Sequence, residues 1–147
     1  MKELDIFKAD ISSHIKLSYS EEGIRAGFPS PSQDYSERLL DLNKELIQHP
    51  AATFLAKVVG LSMINAGIDE GDILIIDRSI EPHDGSIVVA YLEGEFTAKR
   101  LDMSQIKRGK IYLRSENEEY PDFCITPEDK FLIWGVVSSV IKRIDKR

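Results

Sequence analysis

The sequence of 147 residues has a single cysteine, Cys124, and no long uninterrupted apolar run. One cysteine excludes a disulfide bond within the chain, which agrees with the reducing conditions of the cytoplasm. No apolar stretch approaches the 18 residues of a membrane-spanning helix, and the N-terminal residues lack the apolar core of a secretory signal. We therefore expect a cytoplasmic protein with no membrane partner.

Motifs for metal ions and nucleotide phosphates are also missing. The three histidines, His14, His49 and His83, lie far apart, and no H-x-x-x-H or C-x-x-C spacing occurs. Neither of the glycine-rich phosphate-binding motifs, G-x-x-x-x-G-K-[ST] and G-x-G-x-x-G, is present. We expect no metal ion and no cofactor.

The charge balance is acidic, with 19 Lys and Arg against 25 Asp and Glu and a formal net charge of −6. Because binding to DNA phosphates requires a basic surface, this balance argues against non-specific DNA binding. We also expect no direct sequence-specific DNA binding. Two short segments, 107–110 and 141–147, are basic. They are either solvated strand ends and a frayed terminus or contacts for an acidic partner.

The first 26 residues differ in character from the rest of the chain. Their apolar residues follow a near-helical spacing at Leu4, Phe7, Ile11 and Ile15. This pattern indicates a weakly amphipathic arm, too short to form a stable helix alone in water. Residues 27–32 contain glycine and two prolines, so they predict an exposed linker.

The remaining sequence fits one domain with a hydrophobic core, since 42% of all residues are hydrophobic. A helix is predicted within residues 34–48, capped by Asp34 or Asp41 and ended by Pro50. Short strands are predicted at Phe54–Val59, Ile73–Ile76, Ile87–Leu92, Glu95–Leu101, Lys110–Arg114 and Phe131–Ile141. Many short strands with frequent turns predict a mostly β fold with an antiparallel, partly rolled sheet and one or two short helices.

A break in the strand pattern occurs at residues 60–64, Gly-Leu-Ser-Met-Ile, directly after a predicted strand. If Ser62 opens a short helical turn, its hydroxyl lies beside unpaired backbone N–H groups that can stabilise an oxyanion. Serine is also a favoured helix N-cap residue. Ser62 is therefore either a nucleophile or a helix cap.

Two adjacent cations, Lys99 and Arg100, lie in the predicted strand Glu95–Leu101. Strand alternation puts Thr97, Lys99 and Leu101 on one face, so Lys99 points inward if Leu101 does. Burial lowers the pKa of a lysine, and a neutral amine can take a proton from a serine hydroxyl. The alternative is an exposed Lys99 with the stem of Arg100 on the core side.

Three blocks occur in a fixed order: G-x-S-M at 60–63, G-D-x-L-I-x-D at 71–77 and F-T-x-K at 96–99. Together with further matching segments at 27–31, 41–43, 46–54 and 131–137, they resemble the LexA/UmuD family of self-cleaving serine peptidases, peptidase family S24. The resemblance runs from about residue 27 to residue 142. It implies a LexA/UmuD-type β domain preceded by a flexible N-terminal arm.

The resemblance assigns catalytic roles to four residues. Ser62 is the implied nucleophile, and Lys99 is the implied general base and later the proton donor to the leaving amine. Backbone N–H groups of Leu61 and Ser62 form the implied oxyanion hole, and Thr97 helps to orient the pair. Some relatives have an acidic residue where Leu61 stands, whereas others have an apolar one.

The implied scissile bond joins Ala26 and Gly27, so that cleavage separates an arm, 1–26, from a peptidase and dimerisation domain, 27–147. Small residues suit this bond, because glycine lets the strand bend into the site without a Cβ clash. The alternative is that Ala26-Gly27 is an ordinary linker dipeptide.

The resemblance also implies a role in the SOS response to DNA damage. A RecA–single-stranded DNA filament would stimulate cleavage, and the trimmed homodimer would join a Y-family polymerase subunit in error-prone translesion synthesis. Only 26 residues precede the implied cleavage site, too few for a helix-turn-helix domain, which favours the mutagenesis branch over the repressor branch. The apolar strand Phe131–Ile141 is either a dimer seam or an interior strand.

Other functions remain possible from the sequence. The same fold could serve only as an inert, dimeric polymerase-accessory module. A signal-peptidase-like enzyme uses the same pair of residue types, but a membrane anchor is missing. A phage-type repressor fragment would need a DNA-binding domain.

Overall fold

The computed structural model describes residues 3–9, 12, 16–18, 39–126, 128–129 and 131–145, and most of them lie in or between β-strands. In chain order the strands are β1 (Leu4–Lys8), β2 (Lys16–Ser18), β3 (Leu39–Asp41), β4 (Thr53–Val58), β5 (Ile73–Asp77), β6 (Ile87–Leu92), β7 (Glu95–Asp102), β8 (Ile111–Arg114), β9 (Phe123–Ile125) and β10 (Phe131–Ile141). The described helices are α1 (Leu42–Leu46) and three 3₁₀ turns at Pro50–Ala52, Ile64–Ala66 and Ile106–Arg108. Not one of these helices has the length and apolar character needed to span a bilayer. The mostly β class is confirmed.

The chain divides into two compact units, of which the smaller is residues 10–50. Within it, β2 pairs with β3 in antiparallel register. The Asp41 side chain caps α1, because its Oδ1 atom accepts a hydrogen bond of 3.0 Å from the Asn43 N–H. The helix lies within the predicted range 34–48, but it ends at Leu46, because Ile47 takes an extended conformation, and not at Pro50.

The larger unit consists of residues 1–9 and 51–147 and contains an eight-stranded sheet of order β1-β4-β5-β10-β6-β7-β8-β9. Every neighbouring pair in this sheet is antiparallel, which confirms the predicted pairing. Strand β10 lies between β5 and β6, so it is an interior strand of the sheet. It still exposes Leu132, Val140 and Ile141.

Two register shifts interrupt β10, one between Ile133 and Gly135 and one between Val137 and Ser139. Such bulges bend a strand and increase its twist, which supplies the curvature of a rolled sheet. At the first shift, a Cβ added to Gly135 would lie 2.6 Å from the Cγ2 atom of Ile76. Glycine at this position therefore permits the close approach of β10 to β5.

Both faces of the sheet carry apolar side chains, as alternation along the strands requires. In β6, Val89 joins a cluster with Leu74 and Ile76, whereas its neighbours Val88 and Ala90 join a second cluster. The first cluster also includes Met63 and Ile68, from the connection between β4 and β5.

The N-terminal strand differs from the near-helical pattern predicted for the arm. Leu4 through Lys8 form β1, which pairs with β4. Over so short a segment the apolar residues also alternate, with Leu4 buried, Asp5 exposed and Ile6 partly buried. The edge of β4 supplies hydrogen-bonding partners for an extended segment, so residues 4–8 form a strand and not a helix. Ile11 and Ile15 lie outside the described residues.

Candidate active site

Gly60 turns the chain out of β4 and toward Ser62. Its φ angle is +97°, a conformation that residues with a Cβ rarely adopt. A Cβ at this position would meet nothing within 4 Å, so the backbone angle and not the available space requires glycine. Ser62 follows two residues beyond this glycine.

The segment between β8 and β9 fixes the turn that carries the serine. Glu116 N–H donates to the Ser62 carbonyl at 2.8 Å, and Asn65 N–H donates to the Glu116 carbonyl at 2.8 Å. The side-chain amide of Asn117 donates to the Leu61 carbonyl at 2.9 Å. No motif in the sequence points to Glu116 or Asn117, because their role depends on contacts across about fifty residues of chain.

The alternative role of Ser62 as a helix cap is wrong. The following 3₁₀ turn, Ile64–Ala66, has Met63 at its N-cap position and no side-chain capping bond. The backbone N–H groups of Leu61 and Ser62 donate hydrogen bonds to no other residue of the described ranges. The Ser62 side chain is instead directed toward β7.

Strand β7 buries Lys99, which is 1% exposed. Thr97, Lys99 and Leu101 are all buried on one face, as alternation predicts. Val88 lies opposite Lys99 in β6. Arg100 points the other way, where it donates to the Gly85 carbonyl at 2.7 Å and pairs with a carboxylate.

The Nζ atom of Lys99 lies 3.2 Å from the Oγ atom of Ser62, within hydrogen-bonding reach. It also donates to the Thr97 hydroxyl at 2.9 Å and to the Ala98 carbonyl at 3.1 Å. The fourth acceptor is an Oε2 atom of Glu3, at 3.2 Å. The structure thus brings together Ser62, Lys99 and Thr97, three residues that the sequence singles out.

Glu3 is a further residue of the site that the sequence does not indicate. It precedes β1 and lies 96 positions from Lys99 in the chain. Its carboxylate also accepts a short hydrogen bond from the Thr97 hydroxyl. An acidic residue in a segment of near-helical spacing carries no signal of such a contact.

The pKa of Lys99 is lowered from its ordinary value of 10.5. Burial is the largest cause, because it penalises the charged form, while the carboxylates of Glu3 and Asp122 act in the opposite direction. Lys99 therefore reaches its neutral form at a lower pH than an exposed lysine does.

Two concave surfaces adjoin the pair. The first, with a volume of about 290 Å³, is lined by Glu3, Leu92, Glu93, Glu95, Thr97 and Phe123. The second, of about 510 Å³, is lined by Asn65, Ser115, Glu116, Asn117, Glu118, Tyr120 and Asp122. The first surface includes Glu3 and Thr97, which contact Lys99, and the second includes Glu116 and Asn117, which contact the serine turn.

The predicted scissile residues Ala26 and Gly27 lie outside the described residues. Leu61, next to the serine, is 45% exposed. Within the described ranges, no three His, Cys, Asp or Glu side chains come together in a way that could hold a metal ion.

Comparison with known proteins identifies one matching family profile and several similar proteins. A family profile described as Peptidase S24-like matches residues 19–138, a range that contains Ser62, Thr97 and Lys99. Protein MucA of Salmonella typhimurium is 38% identical over 138 residues, 92% of either chain. Protein ImpA of the same species is 44% identical over 119 residues, which cover 81% of this chain and 79% of ImpA. The LexA repressor of Haemophilus influenzae is 38% identical over 122 residues, which cover 81% of this chain and 56% of the repressor.

Proposed function

This chain belongs to the Peptidase S24-like family, and from that premise we propose that it is a self-cleaving serine peptidase with a Ser62–Lys99 dyad. The observation that carries this proposal is the distance of 3.2 Å between Ser62 Oγ and a lysine Nζ atom that is shielded from water. A buried amine next to a hydroxyl is an arrangement that activates a serine nucleophile.

In the acylation step, the neutral Lys99 amine takes the proton from the Ser62 hydroxyl. The Oγ atom attacks the carbonyl carbon of Ala26 and forms a tetrahedral oxyanion. The bond between Ala26 and Gly27 then breaks, and the Lys99 ammonium gives its proton to the leaving Gly27 nitrogen. The chain ends this step as an ester on Ser62, with Lys99 again neutral.

Hydrolysis of the ester repeats the proton transfers with water. Lys99 takes a proton from a water molecule, and the resulting hydroxide attacks the acyl carbon. The Ser62 oxygen leaves and recovers a proton from Lys99, so that the enzyme is restored and Ala26 ends in a carboxylate.

Three further groups support the reaction in this proposal. The backbone N–H groups of Leu61 and Ser62 stabilise the oxyanion, and they make no hydrogen bond to the rest of the described chain. Thr97 accepts from Lys99 at 2.9 Å and holds the amine toward the serine. Because the substrate bond is part of the same chain, proximity compensates for a modest catalyst.

The cleavage divides the chain into an N-terminal arm, 1–26, and a peptidase and dimerisation domain, 27–147. The family and its LexA relative support an SOS role, in which a RecA–single-stranded DNA filament favours the cleavable conformation. The trimmed homodimer then serves as a subunit with a Y-family polymerase in the cytoplasm. Exposed apolar side chains on β10, at Leu132, Val140 and Ile141, provide a surface for the dimer.

Intact-mass spectrometry of the purified full-length protein tests the proposal. After incubation at about pH 9–10, which favours a neutral lysine, we expect the wild type to yield fragments 1–26 and 27–147. Ser62→Ala and Lys99→Met should remain intact while circular dichroism shows an unchanged fold. Ser104→Ala and Lys107→Met change exposed residues of the same types and should cleave normally.

Continued cleavage of Ser62→Ala would contradict the dyad. A wild type that stays intact at alkaline pH, with and without an activator filament, would favour the inert polymerase-accessory module.

A further inference from the structure

We propose that Glu3 controls the dyad: while β1 is paired with β4, its carboxylate holds Lys99 in the ammonium form and so delays self-cleavage. The inference rests on the proposed function of the Ser62–Lys99 pair and adds a residue that acts on it through the lysine.

Backbone pairing fixes the position of Glu3. The Val59 N–H donates to the Glu3 carbonyl at 2.7 Å, and the strand continues in register from Leu4 opposite Val58 to Lys8 opposite Phe54. The next residue, Leu4, is buried and belongs to the core cluster that includes Leu74 and Ile76. The carboxylate therefore arrives at the dyad as part of an ordered strand, and its contact with Lys99 lasts as long as the strand pairing does.

The hydrogen-bonding partners of Lys99 fit an ammonium group. A neutral amine has two N–H donors and one lone pair, so Thr97, the Ala98 carbonyl and an incoming Ser62 O–H would satisfy it completely. The Oε2 atom of Glu3 is an additional acceptor, 3.2 Å from Nζ. The Thr97 hydroxyl donates to this same Oε2 atom. In the ammonium form, the three N–H groups of Lys99 can donate to Thr97, the Ala98 carbonyl and Glu3, and no lone pair is left to accept the Ser62 proton.

The charges around Lys99 make Glu3 the dominant opposing group. It is the nearest carboxylate, and its side chain is only 27% exposed, so solvent screens it incompletely. Asp122, from the connection between β8 and β9, acts in the same direction but more weakly. The residue facing Lys99 from β6 is the uncharged Val88, and Arg100 is turned away and paired with Glu116.

Glu3 also connects the arm to the chemistry. It lies in the segment that the proposed cleavage removes, upstream of Ala26. A partner that detaches β1 from β4 withdraws the carboxylate, and the amine then loses its proton more easily. The pairing of β1 with β4 thus controls the rate of self-cleavage, the reaction that removes the arm.

Replacement of Glu3 by its uncharged isostere tests the inference in the full-length protein. An opposite charge at this distance shifts a pKa by roughly one to three units, so we expect Glu3→Gln to cleave about tenfold faster or more at pH 7. The midpoint of its pH profile should fall by about one unit or more, while its rate at high pH equals that of the wild type. Glu3→Asp keeps the charge and should remain slow. Asp5→Asn removes a charge from an exposed position of the same strand and should behave as the wild type.

A second measurement does not depend on cleavage. In the Ser62→Ala background, ¹⁵N NMR of the Lys99 amine should give a lower titration midpoint when Glu3→Gln is added. Equal midpoints with and without that change would overturn the inference, as would a Glu3→Gln protein that cleaves more slowly than the wild type at every pH.

The two proposals fail in distinguishable ways. If the wild type cleaves and Ser62→Ala does not, but Glu3→Gln leaves the rate and the midpoint unchanged, Glu3 has no controlling role and the dyad stands. If no variant cleaves, the peptidase function is refuted, while the NMR titration still decides whether Glu3 sets the charge of Lys99.

Discussion

In the proposed reaction, the pH dependence of self-cleavage follows from the burial of Lys99. Only the neutral amine can accept the Ser62 proton, and below the pKa of a base its neutral fraction rises tenfold for each pH unit. We therefore expect the logarithm of the cleavage rate to rise with a slope of about one, which amounts to roughly a hundredfold between two pH values two units apart.

The rise should end before the pH at which an exposed lysine is half-neutral. Burial lowers the pKa of Lys99 from 10.5, although Glu3 and Asp122 oppose the shift, so the plateau begins below that value. Initial rates at constant ionic strength, measured by intact mass from pH 6 to 11, give the profile. A rate that falls as the pH rises, or one that keeps rising beyond pH 10.5, would refute the assignment of Lys99 as the base.

The same proton affects stability, and the sign follows from the direction of the shift. Because the folded-state pKa of Lys99 lies below its unfolded value, the unfolded chain binds more protons between the two values. The free energy of unfolding therefore rises with pH across that window and is constant, for this group, below and above it. Denaturant unfolding of Ser62→Ala should show this rise, and the double variant with Lys99→Met should lose it. Equal pH dependence in the two proteins would contradict the burial argument.

Two further predictions concern the framework of the site. Gly60→Ala forces a non-glycine residue into a positive φ of +97°, so we expect a loss of about 1–3 kcal/mol in unfolding free energy, measured by urea denaturation, together with slower cleavage. Leu74→Ala removes a side chain that is 0% exposed in β5; an expected cost of about 3 kcal/mol should lower the Tm by roughly 6–12 °C in calorimetry. A change below about 0.5 kcal/mol in either variant would contradict the assigned role.

Local patterns in the sequence were sufficient for much of the large sheet and for the face on which Lys99 lies, whereas the catalytic roles of Ser62 and Lys99 were implied only by the family resemblance. The strands from β4 to β8 and β10 fall within one residue of their predicted ends, because their apolar runs are bounded by clear turn residues. Alternation placed Lys99 beside Thr97 and on the same face as Leu101, and the structure confirms that orientation. These features depend on neighbours within a few residues.

The missed features depend on partners far away in the chain. Strand β1 forms because β4 offers an open edge, and only that pairing brings Glu3 to Lys99. The bulges of β10 arise from its register with two strands at once, and Gly135, at the first of them, is the residue of β10 that could have indicated a bulge. Glu116 and Asn117 likewise support the serine turn from the connection between β8 and β9.

In the proposed reaction, the pairing of β1 with β4 makes hydrolysis of the bond between Ala26 and Gly27 and dissociation of the arm two separate events. Cleavage after Ala26 leaves the five residues of β1 paired with β4, and Leu4 stays packed in the core cluster. After cleavage, the pairing of β1 with β4 is a bimolecular complex with its own dissociation constant. The fraction of fragment that dissociates therefore depends on the protein concentration. Once the fragment has left, β4 becomes the outermost strand and presents a bare row of N–H and C=O groups to any extended chain nearby.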